Sequence, residues 1–293
     1  MMKNKNDALA VTRNCENAQK RIGDALTVAH YHVSELAQLI ADGISNGTAR
    51  ETYAELRGSL VPSEPEGVVS GVVTSCIVAE LCKEVCERAE GLQPFDFLTS
   101  EGDAENSKIA YIRTSASNEA YRIFSSVIDG ACVVYPGRFA AVCEEVYYGR
   151  AGYCILPYES SDEGTLTGFM RLIRKYELCP NLICSVTGES NVTRFVLLGR
   201  SQYPSVYSVK SKRRYIKLSI DSSRSGTVAE LTGAAAQLGY TLCKTESVPV
   251  SWDDGRYAIS LTFDVTGSDV TPFLLYLELE IPECAEISAY SEV

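Results

Sequence analysis

The sequence predicts an α+β protein of three parts: a helical bundle over residues 1–92, an α/β layer over 108–200, and a ferredoxin-like βαββαβ unit over 213–293. Three observations carry that expectation. Ile22, Leu26, Ala29, Val33, Leu36 and Ile40 recur at spacings of four and three, which makes one apolar stripe on a long helix. From Lys108 onward, short β-rich runs alternate with helical patterns. After Arg213 the rhythm changes to strand, helix, two strands, helix, strand.

In the first part, Asn46-Gly47-Thr48 ends the long helix, and Thr48 is a candidate N-cap for a short helix carrying "ARETYAELRGSL". "VPSEPEG" stops that helix, and Val69, Val73, Ile77, Leu81 and Val85 mark a third. Three helices cannot bury so wide an apolar surface alone, so a homodimer or homotetramer is expected. "GLQPFDFLTSEGDAENS" reads as a linker. The middle part reads "KIAYI" strand, "SNEAYRIFSSV" helix, "ACVVYP" strand, "GRFAAVCEEVYYGR" helix, "YCILPYE" strand, "GTLTGFMRLIRKY" helix, then strands "NLICSVTG" and "TRFVLLGR", in a mostly parallel sheet. The last part reads "RRYIKLSID" strand, "GTVAELTGAAAQLG" helix, strands "YTLCKTESVPV" and "GRYAISLTFDVTG" joined through "SWDDG", "DVTPFLLYLELEI" helix and "CAEISAYS" strand.

Composition excludes several function classes. A net charge of −11 argues against nucleic acid as a partner. The basic run Arg194, Arg200, Lys210, Lys212, Arg213, Arg214 is a solvated linker or a phosphate patch. No apolar run is long enough for a membrane, and "MMKNKNDALA" lacks a leader's apolar core, so a cytoplasmic protein is expected. The 11 cysteines sit in apolar settings without a CxxC pair, as reduced thiols do. With 2 histidines, no metal site and no cofactor are expected.

Two motifs in the middle part carry a family resemblance. In "LPYESSDEG", Pro157, Glu159, Ser161 and Gly164 match the Pro-Ile-Glu-Asn-Ser-x-x-Gly stretch of prephenate dehydratases, with Tyr158 and Ser160 as replacements. In "NVTRFVLLGR", Thr193, Arg194 and Phe195 match that family's Thr-Arg-Phe signature. The order of the three parts resembles the bifunctional P-protein: a chorismate mutase, a prephenate dehydratase and a regulatory ACT domain. The resemblance implies a catalytic set of Thr193, Arg194, Glu159 and Ser160. Thr193 would hydrogen-bond the departing hydroxide, and Arg194 would hold a carboxylate with its fork. Residue types alone allow a plainer reading, in which Arg194 pairs with acids, Glu159 caps the next helix and Thr193 is an ordinary strand residue. The family's dehydratase has two lobes, like type II periplasmic binding proteins. Here only residues 158–192 lie between Pro157 and Thr193, too few for a lobe of upward of ~50 residues. A one-lobed α/β domain is therefore expected. The family's Gly-Pro-x-Gly loop is replaced by "IRTSASN".

The flanks resemble the family less closely. Ala49-Arg50-Glu51 is similar to a chorismate mutase motif, but no Arg or Lys lies between Arg21 and Arg50, where that reaction needs cations; only His30 and His32 are there. "CKTESVPV" resembles the ACT motif Glu-Ser-Arg-Pro at Glu246, Ser247 and Pro249, with Val248 replacing arginine. The resemblance implies an aromatic amino acid bound at Gly226, Thr227, Val228, Glu246 and Ser247; an interface between paired units without ligand is the alternative. The expected function is a degenerate, amino-acid-binding regulatory relative of prephenate dehydratase in phenylalanine metabolism. The alternative is an active dehydratase making phenylpyruvate from prephenate, with or without mutase activity, taking prephenate or a similar acid in a cleft that a partner chain completes.

Overall fold

The structure, a computed structural model, describes residues 20, 31–60, 68–89, 91–98, 106–221, 227–249, 257–282 and 285–293. Ile22, Leu26, Ala29, His30, Gly226, the "VPSEPE" stretch and the "SWDDG" turn lie outside these residues. The first part gives helices α1 (31–46), α2 (Ala49–Leu60) and α3 (Val68–Arg88). α2 starts directly after Thr48. The middle part gives β1 (Lys108–Ala110), α4 (Ser115–Ser125), β2 (Cys132–Val134), α5 (Phe139–Tyr147), β3 (Tyr153–Ser160), β4 (Gly164–Thr165), α6 (Thr167–Lys175), β5 (Cys179–Thr187), β6 (Val192–Gly199) and the short α7 (Pro204–Tyr207). The last gives β7 (Arg213–Asp221), α8 (Thr227–Gln237), β8 (Thr241–Pro249), β9 (Tyr257–Asp264), α9 (Thr271–Glu280) and β10 (Ala285–Glu292).

Every strand of the described residues joins one mixed sheet in the order β2-β1-β3-β6-β5-β10-β7-β9-β8, with β4 paired to β3. β1 pairs in parallel with β2 and β3, but β6 runs antiparallel between β3 and β5. The sheet is thus less parallel in its pairings than expected. The Gly188–Asn191 turn, closed by Gly188 N–H on the Asn191 carbonyl at 2.7 Å, is too short for a parallel crossover. Residues 161–191 hold only β4, α6 and β5, so no second lobe rises from this sheet.

Two arrangements depart from the expectation of separate parts. First, β10 pairs in parallel with β5, Ser291 opposite Leu182 and Glu292 opposite Ile183, which fuses the two sheets. β5 would otherwise end the first sheet as an apolar edge, a position that invites pairing. Second, α3 lies on α8 and α9, so one core joins Ala37, Ile40, Val78, Leu81 and Val85 to Leu231, Phe273 and Leu277. This covering in cis buries much of the apolar face of α3. The stripe on α3 is also rotated: Leu81 and Val85 are buried, but Val73 is 49% exposed. Residues repeated strictly every four drift around a helix of 3.6 residues per turn. The expected linker is partly built in, with Leu98 buried and Phe95 edge-on to Tyr207.

Alternation along the strands sorts the two faces. Ile216, Leu218, Leu261 and Phe263 point to the α8/α9 layer, the same side as Phe195 and Leu197 on β6. Tyr215, Lys217, Ser219, Ser260 and Thr262 point to the opposite side, which β5 and β10 make continuous with the α5/α6 face.

The close approach of α3 to α8 depends on Gly233, where an added Cβ would lie 2.9 Å from Val72 Cγ1. Gly233→Leu is expected to destabilise the chain by about 1–3 kcal/mol through overpacking. Urea denaturation checks this; an unchanged midpoint would mean that the helices do not meet at this glycine.

Candidate functional site

Two strand irregularities build the site. On β3, Pro157 pairs with Phe195 and Glu159 with Arg194, which leaves Tyr158 as an extra residue. Pro157 lacks an N–H for the ladder, so a bulge beside it is physically natural. The bulge turns both Tyr158 and Glu159 to the α6 face. On β8, Leu242 pairs with Phe263 and Lys244 with Thr262, so Cys243 is the extra residue. That shift sends Leu242 to the helix layer and Lys244 with Glu246 to the polar face.

The polar face then holds three cations and three carboxylates. Arg194 Nη1 donates to Glu159 Oε2 at 2.9 Å, and its Nη2 lies 3.7 Å from Glu292 Oε2. Lys244 Nζ donates to Glu159 Oε1 and to Thr165 Oγ1 (2.6 Å), and pairs with Glu246 Oε1 at 3.1 Å. Thr165 Oγ1 donates to Glu246 Oε1. Lys217 Nζ donates to the Tyr158 hydroxyl oxygen at 2.7 Å and lies 3.4 Å from Glu246 Oε2. Tyr215 donates to Glu292 at 3.0 Å. Burial pushes the Glu159 carboxyl up, but Lys244 and Arg194 outweigh it and hold it below its ordinary value. Burial likewise raises Glu246, and Thr165, Lys217 and Lys244 bring it below its ordinary value. Burial, reinforced by Glu246 and Glu159, pushes the Tyr158 phenol far up, so it stays protonated.

Of the catalytic set implied by the resemblance, Glu159 and Arg194 meet, but as each other's partners. Arg194 pairs with Glu159 and Glu292. Thr193 falls on the opposite face with Phe195, opposite Ser160 and Val186 in the ladder. Ser160 Oγ lies 3.4 Å from the Asp162 amide. Of the ligand set, Thr227 and Val228 open α8, and Ser247, opposite Ile259, turns to that same layer. Glu246 turns the other way, so the sheet stands between it and Ser247. In the helical part, Arg50 pairs with Glu278, and Arg57 with Glu280 at 2.7 Å. The residues missed from sequence are Lys217, Lys244, Thr165 and Glu292. One signal was legible: Lys217 is a lone charge within the strand pattern "YIKLSI". Among the described residues no His, Cys, Asp and Glu cluster could hold a metal, and no helix is long and apolar enough to cross a membrane.

The lowered carboxyls set a pH dependence. A group whose folded pKa lies below its unfolded value adds stability above the unfolded pKa, and that stability disappears as pH falls through the folded one. Glu159, Glu246 and Glu280 are all lowered from 4.5. Stability measured by urea denaturation is therefore expected to hold from pH 7 to about 5 and fall below that. A midpoint that rises between pH 5 and 3 would contradict the charged network.

No protein-family model matches the sequence. No curated protein matches it either. Among solved structures, a prephenate dehydratase from Streptococcus mutans is similar over 64% of this chain and 99% of its own, with 23% identity and a TM-score of 0.51. A prephenate dehydratase in complex with L-Phe from Arthrobacter aurescens is similar over 63% of this chain and 90% of its own, with 16% identity and a TM-score of 0.43. GqqA, described as a novel type of quorum-quenching acylase, is similar over 64% of this chain and 95% of its own, with 15% identity and a TM-score of 0.46. The chain thus shares the mixed α/β fold of the Streptococcus mutans prephenate dehydratase.

Proposed function

We propose that this chain is a prephenate-dehydratase-related protein of aromatic amino acid metabolism that no longer dehydrates prephenate and acts as an amino-acid-binding regulatory protein. The observation that carries the reading is the Arg194 guanidinium. It is held by Glu159 at 2.9 Å and Glu292 at 3.7 Å, while Lys244 takes the other Glu159 oxygen. A substrate carboxylate would have to displace internal carboxylates to reach either cation, and exchanging one charged partner for another yields little net energy. Thr193 is on the other face, and no second lobe excludes water from a substrate above the sheet. The shared fold and the two motifs support descent from a dehydratase.

In this reading residues 1–92 form a helical domain without mutase activity, 108–200 a one-lobed dehydratase-like domain and 213–293 an ACT domain. Arg50, the residue similar to the mutase motif, is paired with Glu278. The ligand is an aromatic amino acid at the α8 start, near Gly226, Thr227, Val228 and Ser247, with its carboxylate toward the helix N-terminal amides; Glu246 acts through its ion pairs. A dimer is no longer needed to bury α3. Calorimetry with phenylalanine, tyrosine and tryptophan tests the reading. Binding of one of them, lost in Ser247→Arg, is expected; no heat and no melting shift with any of the three would overturn the amino-acid-binding role.

A further inference from the structure

We propose that the cavity between α6 and the polar face of β7 and β10 binds a small carboxylic acid with an apolar body. The cavity measures about 210 Å³, far above the ~10–15 Å³ that one water requires. Met170, Ile173 and Ile287 form an apolar wall, Tyr158 and Lys217 form a polar end, and Arg174 and Glu177 also line the space. Sites for small molecules have this composition: a mostly apolar lining with a few convergent polar groups.

The polar end fits an anion. Lys217 is 7% exposed and brings a buried ammonium to this end of the cavity. An ammonium only donates, so the Tyr158 oxygen accepts from it and the phenol hydrogen needs an acceptor of its own. Tyr158 is 4% exposed, and the bond that it receives from Lys217 leaves its own hydrogen to donate to a ligand. A carboxylate entering here would accept from Tyr158 O–H and Lys217 N–H together. Polar capacity is also left next door: the buried Ser260 hydroxyl has no partner among the described residues, and it sits in register between Ser219, which lines the cavity, and Glu246. The cavity lies on the opposite face from Val228 and Ser247, so this site stands or falls apart from the amino-acid site proposed above.

Cys179 lines the cavity and reports on its occupancy, with the exposed Cys132 as an internal reference. The full chain is alkylated with iodoacetamide, and the rate at each cysteine is read by mass spectrometry. The probes are L-leucine, L-methionine and L-phenylalanine, the deaminated acids 4-methylpentanoate and 3-phenylpropionate, and phenethylamine as a cationic control. At least one acid is expected to slow Cys179 roughly tenfold at about ten times its Kd by mass action, with Cys132 unchanged and no effect of the amine. Protection by the amino acids alone, or by the deaminated acids as well, identifies which acids the site accepts; both results support the proposal. Met170→Trp, which fills the cavity, should abolish protection, and Tyr158→Phe, which removes the hydroxyl donor, should weaken it roughly tenfold, about one charge-assisted hydrogen bond. Ser247→Arg should leave it intact. No protection by any acid, equal protection by the amine, or unchanged protection in either cavity variant would overturn the proposal.

Discussion

Phe273→Ala is expected to destabilise the chain by about 3–5 kcal/mol, the usual range for removing a buried phenylalanine. Phe273 is fully buried on α9, with the rings of Phe263, Tyr240 and Tyr276 centred 5.5, 5.6 and 6.0 Å away. Those partners come from the sheet, the α8–β8 connection and α9 itself, and α3 lies across α9. No single side chain can collapse into the space left behind. The urea midpoint should fall with little change in slope, and the folding of residues 31–98 should be lost in the same transition as that of residues 213–293. Separate transitions, or a loss below about 1 kcal/mol, would show that the N-terminal helices and the C-terminal unit do not share a core.

Glu159→Gln is the second large effect. Glu159 is the common partner of Arg194 and Lys244, and its removal leaves two cations facing each other across a neutral amide. Breaking a fully buried pair costs about 3–5 kcal/mol. Here the Arg194 and Lys244 side chains are 29% and 34% exposed, so solvent reduces the expected loss to about 1–3 kcal/mol. Adding Lys244→Met to Glu159→Gln should restore part of the loss, because the like-charge contact disappears. A double variant no more stable than the single one would contradict the shared-carboxylate geometry. The acid-induced loss of stability should also shrink in Glu159→Gln.

Most strands and helices from Lys108 to Glu292 were legible in sequence because each carries its own period; β4 and α7, too short to show one, were not. The interval too short for a lobe was legible from chain length alone. What sequence could not give was contact between distant segments. The β5–β10 pairing joins residues about a hundred positions apart, and nothing in "NLICSVTG" or "CAEISAYS" names the partner. The same holds for α3 on α8 and α9: an apolar helix face shows that something covers it, not whether the cover comes from the same chain. The site was half legible. Motif order brought out Glu159, Arg194 and Glu246, but period-two reasoning failed at the bulges of Tyr158 and Cys243. One extra residue in each strand decides that Glu159, Lys244, Glu246 and Lys217 share a face, and that residues assigned from sequence to two different sites belong to one ion-pair network.

The central claim of the proposed function is that Arg194 and Lys244 hold the internal carboxylates of Glu159, Glu246 and Glu292 instead of substrate. The most direct test is turnover of prephenate by the purified full chain at neutral pH, followed as phenylpyruvate against a no-protein control. The account predicts a rate indistinguishable from that control, and no change with Thr193→Ala or Arg194→Met. Phenylpyruvate formed well above the control, and lost in Thr193→Ala, would contradict it and identify the chain as a working dehydratase.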